Sequence, residues 1–196
     1  MFWDKIAGIY DLYQIMNSKV NNKTASICAS YITNEDIVLE CACGTGIMTR
    51  LIAPPSKKLI ATDFSKPMLK KAKNNLKKHN NIQFKHADIT NLPFKDNTFD
   101  KVIAANVIHL LDNPEKAILE LKRVVKTDGL ILIPTYVAEE TTLSRLATKI
   151  FNKMGANFKK TFNEETYKKF IKNMNLKAEY HTISGTISCC IAIIQQ

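Results

Sequence analysis

Arginine is scarce in this chain: Arg50, Arg123 and Arg145 are the only three among 28 basic residues. Phosphate and base recognition favours the bidentate guanidinium. The formal charge of +10 therefore describes a lysine-rich solvated surface and does not favour a nucleic acid as partner, although charge alone leaves RNA or anionic lipid open. Long apolar runs are also missing. The most apolar stretch, residues 189–194, is too short to cross a bilayer, and Met1-Phe2-Trp3-Asp4-Lys5 carries an acid early and lacks a signal-peptide core. No transmembrane segment is expected. The five cysteines are an odd number with no CxxC pair, which argues for reduced thiols in a cytoplasm. Cys41 and Cys43 lack partner ligands at metal-binding spacing, so no metal is expected, and Cys28, Cys189 and Cys190 read as small core residues. Repeats, low-complexity tracts and Pro/Gly/Ser linkers are absent. The 196 residues, 45% of them apolar, are expected to form one domain. Nothing in the sequence indicates an oligomeric state.

What is present alternates between strand and helix patterns, as a doubly wound α/β sheet requires. Ile37, Val38 and Leu39 form an unbroken apolar run suited to a strand buried on both faces. Further strands are expected at residues 59–62, 81–87, 100–106 and 129–136. The helix after the second strand buries Met68, Leu69, Ala72 and Leu76 and turns its lysines outward. A helix beginning at Pro114 is capped by Asn113, complemented by Glu115 and buried through Ala117, Ile118, Leu121, Val124 and Val125. Gly129, at its end, is expected to be left-handed or next to such a residue. Residues 163–173, with Asn163 as cap, read as another helix, and 177–184 with 186–194 as a hairpin around Gly185. The result is a seven-stranded, mostly parallel sheet with an antiparallel last strand. Additions flank it: helices within residues 1–34, the second at 24–32, and an amphipathic helix at 141–154 within an inserted segment, 139–160, that suits a substrate lid.

The string Val38-Leu39-Glu40-Cys41-Ala42-Cys43-Gly44-Thr45-Gly46 sets an acid near the end of the first strand and follows it with a glycine turn. Gly44 and Gly46 let backbone approach a ligand closely, and helical spacing over 47–53 offers a helix N-terminus behind them. An ordinary strand-to-helix turn would also account for the glycines alone. Seventeen positions after Gly46, Asp63 closes the second strand, about where an acid meets a ribose. A dinucleotide fingerprint would need Gly or Ala at Thr49, and Glu40 would repel a pyrophosphate. A cofactor with a ribose and no phosphates fits better.

These residues, with Ser65 to Leu69, His86-Ala87-Asp88-Ile89, Leu92-Pro93-Phe94 and Phe99-Asp100 through His109, resemble the class I S-adenosylmethionine-dependent methyltransferases. The closer likeness is to the small-molecule branch containing ubiquinone and menaquinone C-methyltransferases. The likeness spans residues 37–136, the cofactor-binding core. It implies S-adenosylmethionine as cofactor, a Rossmann-like fold and a small-molecule acceptor. Gly44 and Gly46, with Glu40 and Ala42, would pack against the methionine portion. Asp63 would hold the ribose hydroxyls and Asp88 the adenine amino group, with Ile89, Phe64 and Met68 around the adenine. Tyr10, beside Asp11, resembles the tyrosine-acid pair found early in such enzymes and would contact cofactor or substrate, though on the Trp3, Ile6 and Ala7 face it reads equally as core. Ala42 departs from the glycine usual in the family. A tighter loop is expected there.

Transfer of a methyl from a sulfonium requires alignment and exclusion of water, and a base only if the acceptor must lose a proton. His109, just past the fourth strand, is the candidate base, with a capping or packing role as the plainer alternative. Asn106 is a further candidate for contact with cofactor or substrate, and it lacks the Pro-Pro-aromatic continuation of amino-directed DNA methyltransferases, which disfavours a DNA base as acceptor. Methylation of RNA or anionic lipid, and cofactor binding without transfer, stand as the other readings.

Overall fold

The computed structural model describes residues 17–137, 161–185 and 187–196. Tyr10 with its expected helix, and the expected lid helix at 141–154, lie outside the described residues. Seven strands form one sheet in the order β3-β2-β1-β4-β5-β7-β6. They are β1 (Ile37–Cys41), β2 (Lys58–Asp63), β3 (Ile82–His86), β4 (Phe99–Ala104), β5 (Val125–Val137), β6 (Glu179–Ile183) and β7 (Ser188–Gln195). β1 pairs in parallel with both β2 and β4, whereas β7 runs antiparallel to both β5 and β6. The strand order thus reverses between β1 and β4, the crevice where ligands collect beyond the carboxyl ends of such sheets.

Side-chain alternation sorts the core into two layers. Val38, Ile103, Leu132 and Ile191 pack on one face, with Val20, Cys28 and Ile52 from α1 (Ser18–Ala29) and α2 (Thr49–Ile52). Their neighbours Leu39, Val102, Ile131 and Ala192 pack on the other, with Ile118, Leu121, Tyr167 and Ile171 from α4 (Pro114–Val124) and α5 (Glu164–Asn173). α3 (Lys66–Asn75) buries Met68, Leu69 and Ala72, followed by Leu76. All five cysteines are buried and free.

The caps agree with the sequence. Asn113 Oδ1 accepts the Lys116 N–H at 2.9 Å, and Asn163 forms a capping box with Thr166. Other boundaries differ. α1 begins at Ser18 and ends at Ala29, because Asn17, Asn21 and Thr24 are buried against the sheet and extend the helix toward the N-terminus. The helix expected at 47–53 keeps only four regular residues, preceded by a turn in which the Arg50 N–H reaches the Gly46 carbonyl at 3.1 Å. β5 starts directly after α4, at Val125, with a register shift against β4 between Phe99 and Lys101.

Gly129 is not left-handed; the positive-φ glycines among the described residues are Gly44 and Gly46. Its contribution is space at the register shift. A Cβ there would stand 2.5 Å from Val125 Cγ2 and 2.8 Å from the Asp100 carbonyl oxygen. Asp100 is itself fixed nearby, accepting the Ile37 N–H at 2.8 Å and pairing with Lys126 at 2.6 Å. Gly129→Ala is therefore expected to lower folding stability by about 1–3 kcal/mol through overpacking, measured by chemical denaturation.

Candidate functional site

Beyond the end of β1 the chain turns through Ala42, whose φ of 56° lies in the left-handed region. For a residue with a Cβ that conformation costs roughly 1–2 kcal/mol. Hydrogen bonds on both sides hold it there. The Cys43 N–H reaches the Thr62 carbonyl at 2.9 Å, the Gly44 N–H reaches Asp63 Oδ2 at 2.8 Å, and the Gly46 N–H returns to the Cys43 carbonyl at 3.0 Å. Asn75 Nδ2 donates to the Thr45 carbonyl at 3.0 Å. Gly46, at φ 90°, packs so close to α3 that a Cβ would lie 2.7 Å from Leu76 Cδ1.

Asp63 is the hub of this loop. Its second oxygen, Oδ1, accepts the Ser65 N–H at 2.8 Å, so one carboxylate joins the glycine turn to the start of α3. Burial pushes its pKa up, while the backbone N–H groups of Ser65 and Gly44 hold it back. Next to it Phe64 is 48% exposed and stacks on His86, with ring centroids 5.7 Å apart. Met68 and Ile89 are buried, so of the three residues expected around an adenine only Phe64 offers an open face here. The Ala87 N–H bonds to the Asp63 carbonyl at 3.2 Å and brings the following Asp88 alongside. Asp88 Oδ1 accepts both the N–H and the hydroxyl of Thr90 at 2.8 Å.

A pocket opens between the glycine turn and the end of β4. It is lined by Glu40, Ala42, Thr45 and Asn106 and, from α1, by Asn21 and Thr24. Asn106 is left-handed, at φ 53°, and its N–H is bound to the Pro134 carbonyl at 2.8 Å. Four buried oxygens in this lining, Thr24 Oγ1, Glu40 Oε2, Thr45 Oγ1 and Asn106 Oδ1, have no hydrogen-bond partner among the described residues. Buried acceptors without donors are costly. A ligand carrying several N–H donors in one group, such as an ammonium, would satisfy them. Glu40 is 2% exposed. Burial pushes its carboxyl up to about 8, the Thr49 hydroxyl pulls it down, and the Asp63 charge raises it further.

His109 occupies a 3-10 turn, Ile108–Leu110, and is 4% exposed. Burial pushes its imidazole down to about 4. Its ring lies 6.2 Å from that of Tyr136, whose hydroxyl donates to Asn21 Oδ1 at 2.8 Å. His109 is not part of the pocket lining around Glu40. The sequence reading missed Asn21, Thr24 and Thr45. A signal was available for the first two: Asn17, Asn21 and Thr24 recur at helical spacing on one face, and all three are buried.

Comparison with known proteins places this geometry. A family pattern described as "Methyltransferase domain" matches residues 39–133. The chain is 29% identical over 155 residues to a demethylmenaquinone methyltransferase of Clavibacter sepedonicus, covering 77% of this chain and 63% of that protein. It is 31% identical over 140 residues to a ubiquinone/menaquinone biosynthesis C-methyltransferase of Hahella chejuensis, covering 67% and 56%. It thus spans less than two thirds of the length of these curated relatives. Among solved structures, a SAM-dependent methyltransferase of Thermotoga maritima superimposes with a TM-score of 0.77 at 18% identity, covering 99% of this chain and 98% of that one. A SAM-dependent methyltransferase from Aquifex aeolicus gives 0.68 at 18% identity, covering 98% and 97%. With the sheet order and glycine turn in place, residues 39–133 form a methyltransferase domain, similar in sequence to the menaquinone and ubiquinone methyltransferases and in fold to the SAM-dependent methyltransferases.

Proposed function

We propose that this protein binds S-adenosylmethionine in the pocket between the glycine turn and Asn106 and transfers its methyl group to a small-molecule acceptor. The observation that carries this reading is that Glu40 Oε2, Thr45 Oγ1 and Asn106 Oδ1 line one pocket as buried oxygens without partners among the described residues. When bound, this cofactor supplies a methyl on a sulfonium cation, given up by in-line displacement as positive charge disappears. Glu40, Thr45 and Asn106 would hold its ammonium, Asp63 its ribose hydroxyls and Phe64 one face of its adenine. The backbone N–H bonds already made by Asp63 fix its carboxylate before the ligand arrives, a preorganised arrangement that lowers the ordering cost of binding.

The acceptor belongs on the far side of Asn106, toward His109 and Tyr136. The relatives named as demethylmenaquinone and ubiquinone/menaquinone methyltransferases favour a partly apolar acceptor, and the two rings suit one. His109, held neutral by burial, fits the role of a hydrogen-bond acceptor that orients the substrate better than that of a base working near neutral pH. Residues 1–34 and 139–160 are proposed to complete the walls of this site, with Tyr10 among the contacts. No helix among the described residues is long and apolar enough to cross a membrane; a cytoplasmic location and a single domain over residues 1–196 are part of the proposal.

Three outcomes are expected. S-adenosylmethionine should bind in calorimetry, and Asp63→Ala should weaken binding by about a hundredfold or more, as expected when a charged hydrogen-bonding group is removed and two buried N–H donors lose their acceptor. No binding heat from the wild type at high cofactor concentration would refute the assignment. Ala42→Gly should raise stability by about 1 kcal/mol by releasing a left-handed Cβ, read from denaturation midpoints, with cofactor affinity equal or better. His109 has its own pH signature. Its pKa falls from 6.5 to about 4 on folding, so its contribution is complete above 6.5 and is lost as pH drops toward 4. His109→Gln should flatten that acid limb by up to ~3 kcal/mol relative to wild type and lower product formation, followed with labelled methyl groups, while leaving cofactor affinity within about threefold.

A further inference from the structure

Two carboxyl groups meet at the cofactor loop, and the backbone treats them unequally. Asp63 accepts an N–H on each oxygen, from Gly44 and from Ser65, both at 2.8 Å. Glu40 is buried as deeply, yet its Oε2 receives no donor among the described residues. When two carboxyls share a buried site and only one is solvated by N–H groups, the proton resides on the other. Among the described residues, the remaining surroundings of Glu40 supply no positive charge. Cys28 from α1 and Cys41 and Cys43 from β1 and the turn are buried thiols, all pushed up and therefore neutral. α2 contributes the Thr49 hydroxyl, β2 the negative Asp63, and no described Lys or Arg pairs with Glu40.

We propose that Glu40 carries a proton in the ligand-free protein and releases it to solvent when the ammonium group of the cofactor enters the pocket, so that cofactor binding is coupled to loss of one proton. This rests on the cofactor reading above and deepens it. The balance is simple: a neutral carboxylic acid and a cationic ligand become a carboxylate-ammonium contact and one proton in the buffer. Affinity should then rise with pH through the range in which Glu40 is protonated before binding and the ligand keeps its own ammonium proton. Ligands without the ammonium should show no such coupling.

The test is calorimetry of the full chain in buffers of different ionisation enthalpy, with S-adenosylmethionine, S-adenosylhomocysteine and 5′-methylthioadenosine as probes. Near pH 7 the first two should release close to one proton per site, and affinity should rise severalfold between about pH 6 and 7. 5′-Methylthioadenosine, which lacks the amino-acid portion, should release none. Glu40→Gln, a neutral isostere of the protonated acid, should bind the first two with no proton release and a flat pH dependence. The infrared band of a protonated carboxylic acid, lost on binding to the wild type, provides a reading that needs no variant. Binding by the wild type without proton release, or with equal release from Glu40→Gln, would overturn this inference and leave the cofactor assignment standing. No binding at all would overturn both.

Discussion

The carboxylate of Asp63 is the constraint on which the rest of the site depends. It closes β2, receives the Gly44 N–H from the turn after β1, and receives the Ser65 N–H that opens α3. Two strand ends and one helix start are thereby set relative to one another by a single side chain. Gly46 can approach Leu76 because the turn is drawn toward α3, and Asn75 completes the fastening from the far end of that helix through the Thr45 carbonyl. Hydrogen bonds to an ionised carboxylate are worth about 1.5–3 kcal/mol each, so this clamp outweighs the conformational cost of the turn it holds.

The same clamp sets the electrostatics. With its oxygens solvated by backbone N–H groups, Asp63 can keep a negative charge under burial, and that charge then acts on Glu40. The loop therefore sets one carboxyl that backbone N–H groups solvate beside one that they do not. In the proposed complex the ligand's donors complete the hydrogen bonding of Glu40, which makes its desolvation part of recognition. On the proposed acceptor side the chemistry is milder. His109 is kept neutral by burial, and the Tyr136 to Asn21 hydrogen bond ties the end of β5 to α1. The α1 helix is in turn fastened to the start of β7, where Asn17 Nδ2 donates to the Ile187 carbonyl at 3.1 Å.

The sheet was legible in the sequence because its signals are local. Apolar runs marked β1, β2, β4, β5 and β7, and Asn113, Pro114 and Asn163 marked helix starts with side chains that do in the structure what their types imply. The glycine turn was legible for the same reason, since Glu40 and Asp63 sit near strand ends whose positions follow from those runs, with Gly44 and Gly46 in the turn between them. Two kinds of feature were not. Gly129 was expected to be left-handed or next to such a residue, yet its role is set by the Asp100 carbonyl and the Val125 side chain, partners fixed only by the β4 to β5 register. Asn21 and Thr24 were passed over as pocket residues, despite their helical spacing, because a polar stripe on a helix ordinarily faces water. Only the docking of α1 against α2, β6 and β7 turns that stripe inward.

Ala42 shows how the loop reconciles local preference with global demand. A glycine would adopt φ 56° freely, and alanine does not. A methyl group here could in principle act by filling the pocket or by straining the chain. Ala42 lines the pocket without closing it and packs against the core from its edge, so the cost falls on the backbone. That cost, about 1–2 kcal/mol, is of the size that two or three ordinary hydrogen bonds offset at about 1 kcal/mol each. The turn makes more than that number: Cys43 to Thr62, Gly44 to Asp63, Gly46 to Cys43 and Asn75 to Thr45. Strain persists where surrounding contacts over-determine the conformation, and here those contacts are the ones that aim Glu40 and Thr45 into the pocket. The alanine therefore weakens the physical case for a blocked, purely structural loop.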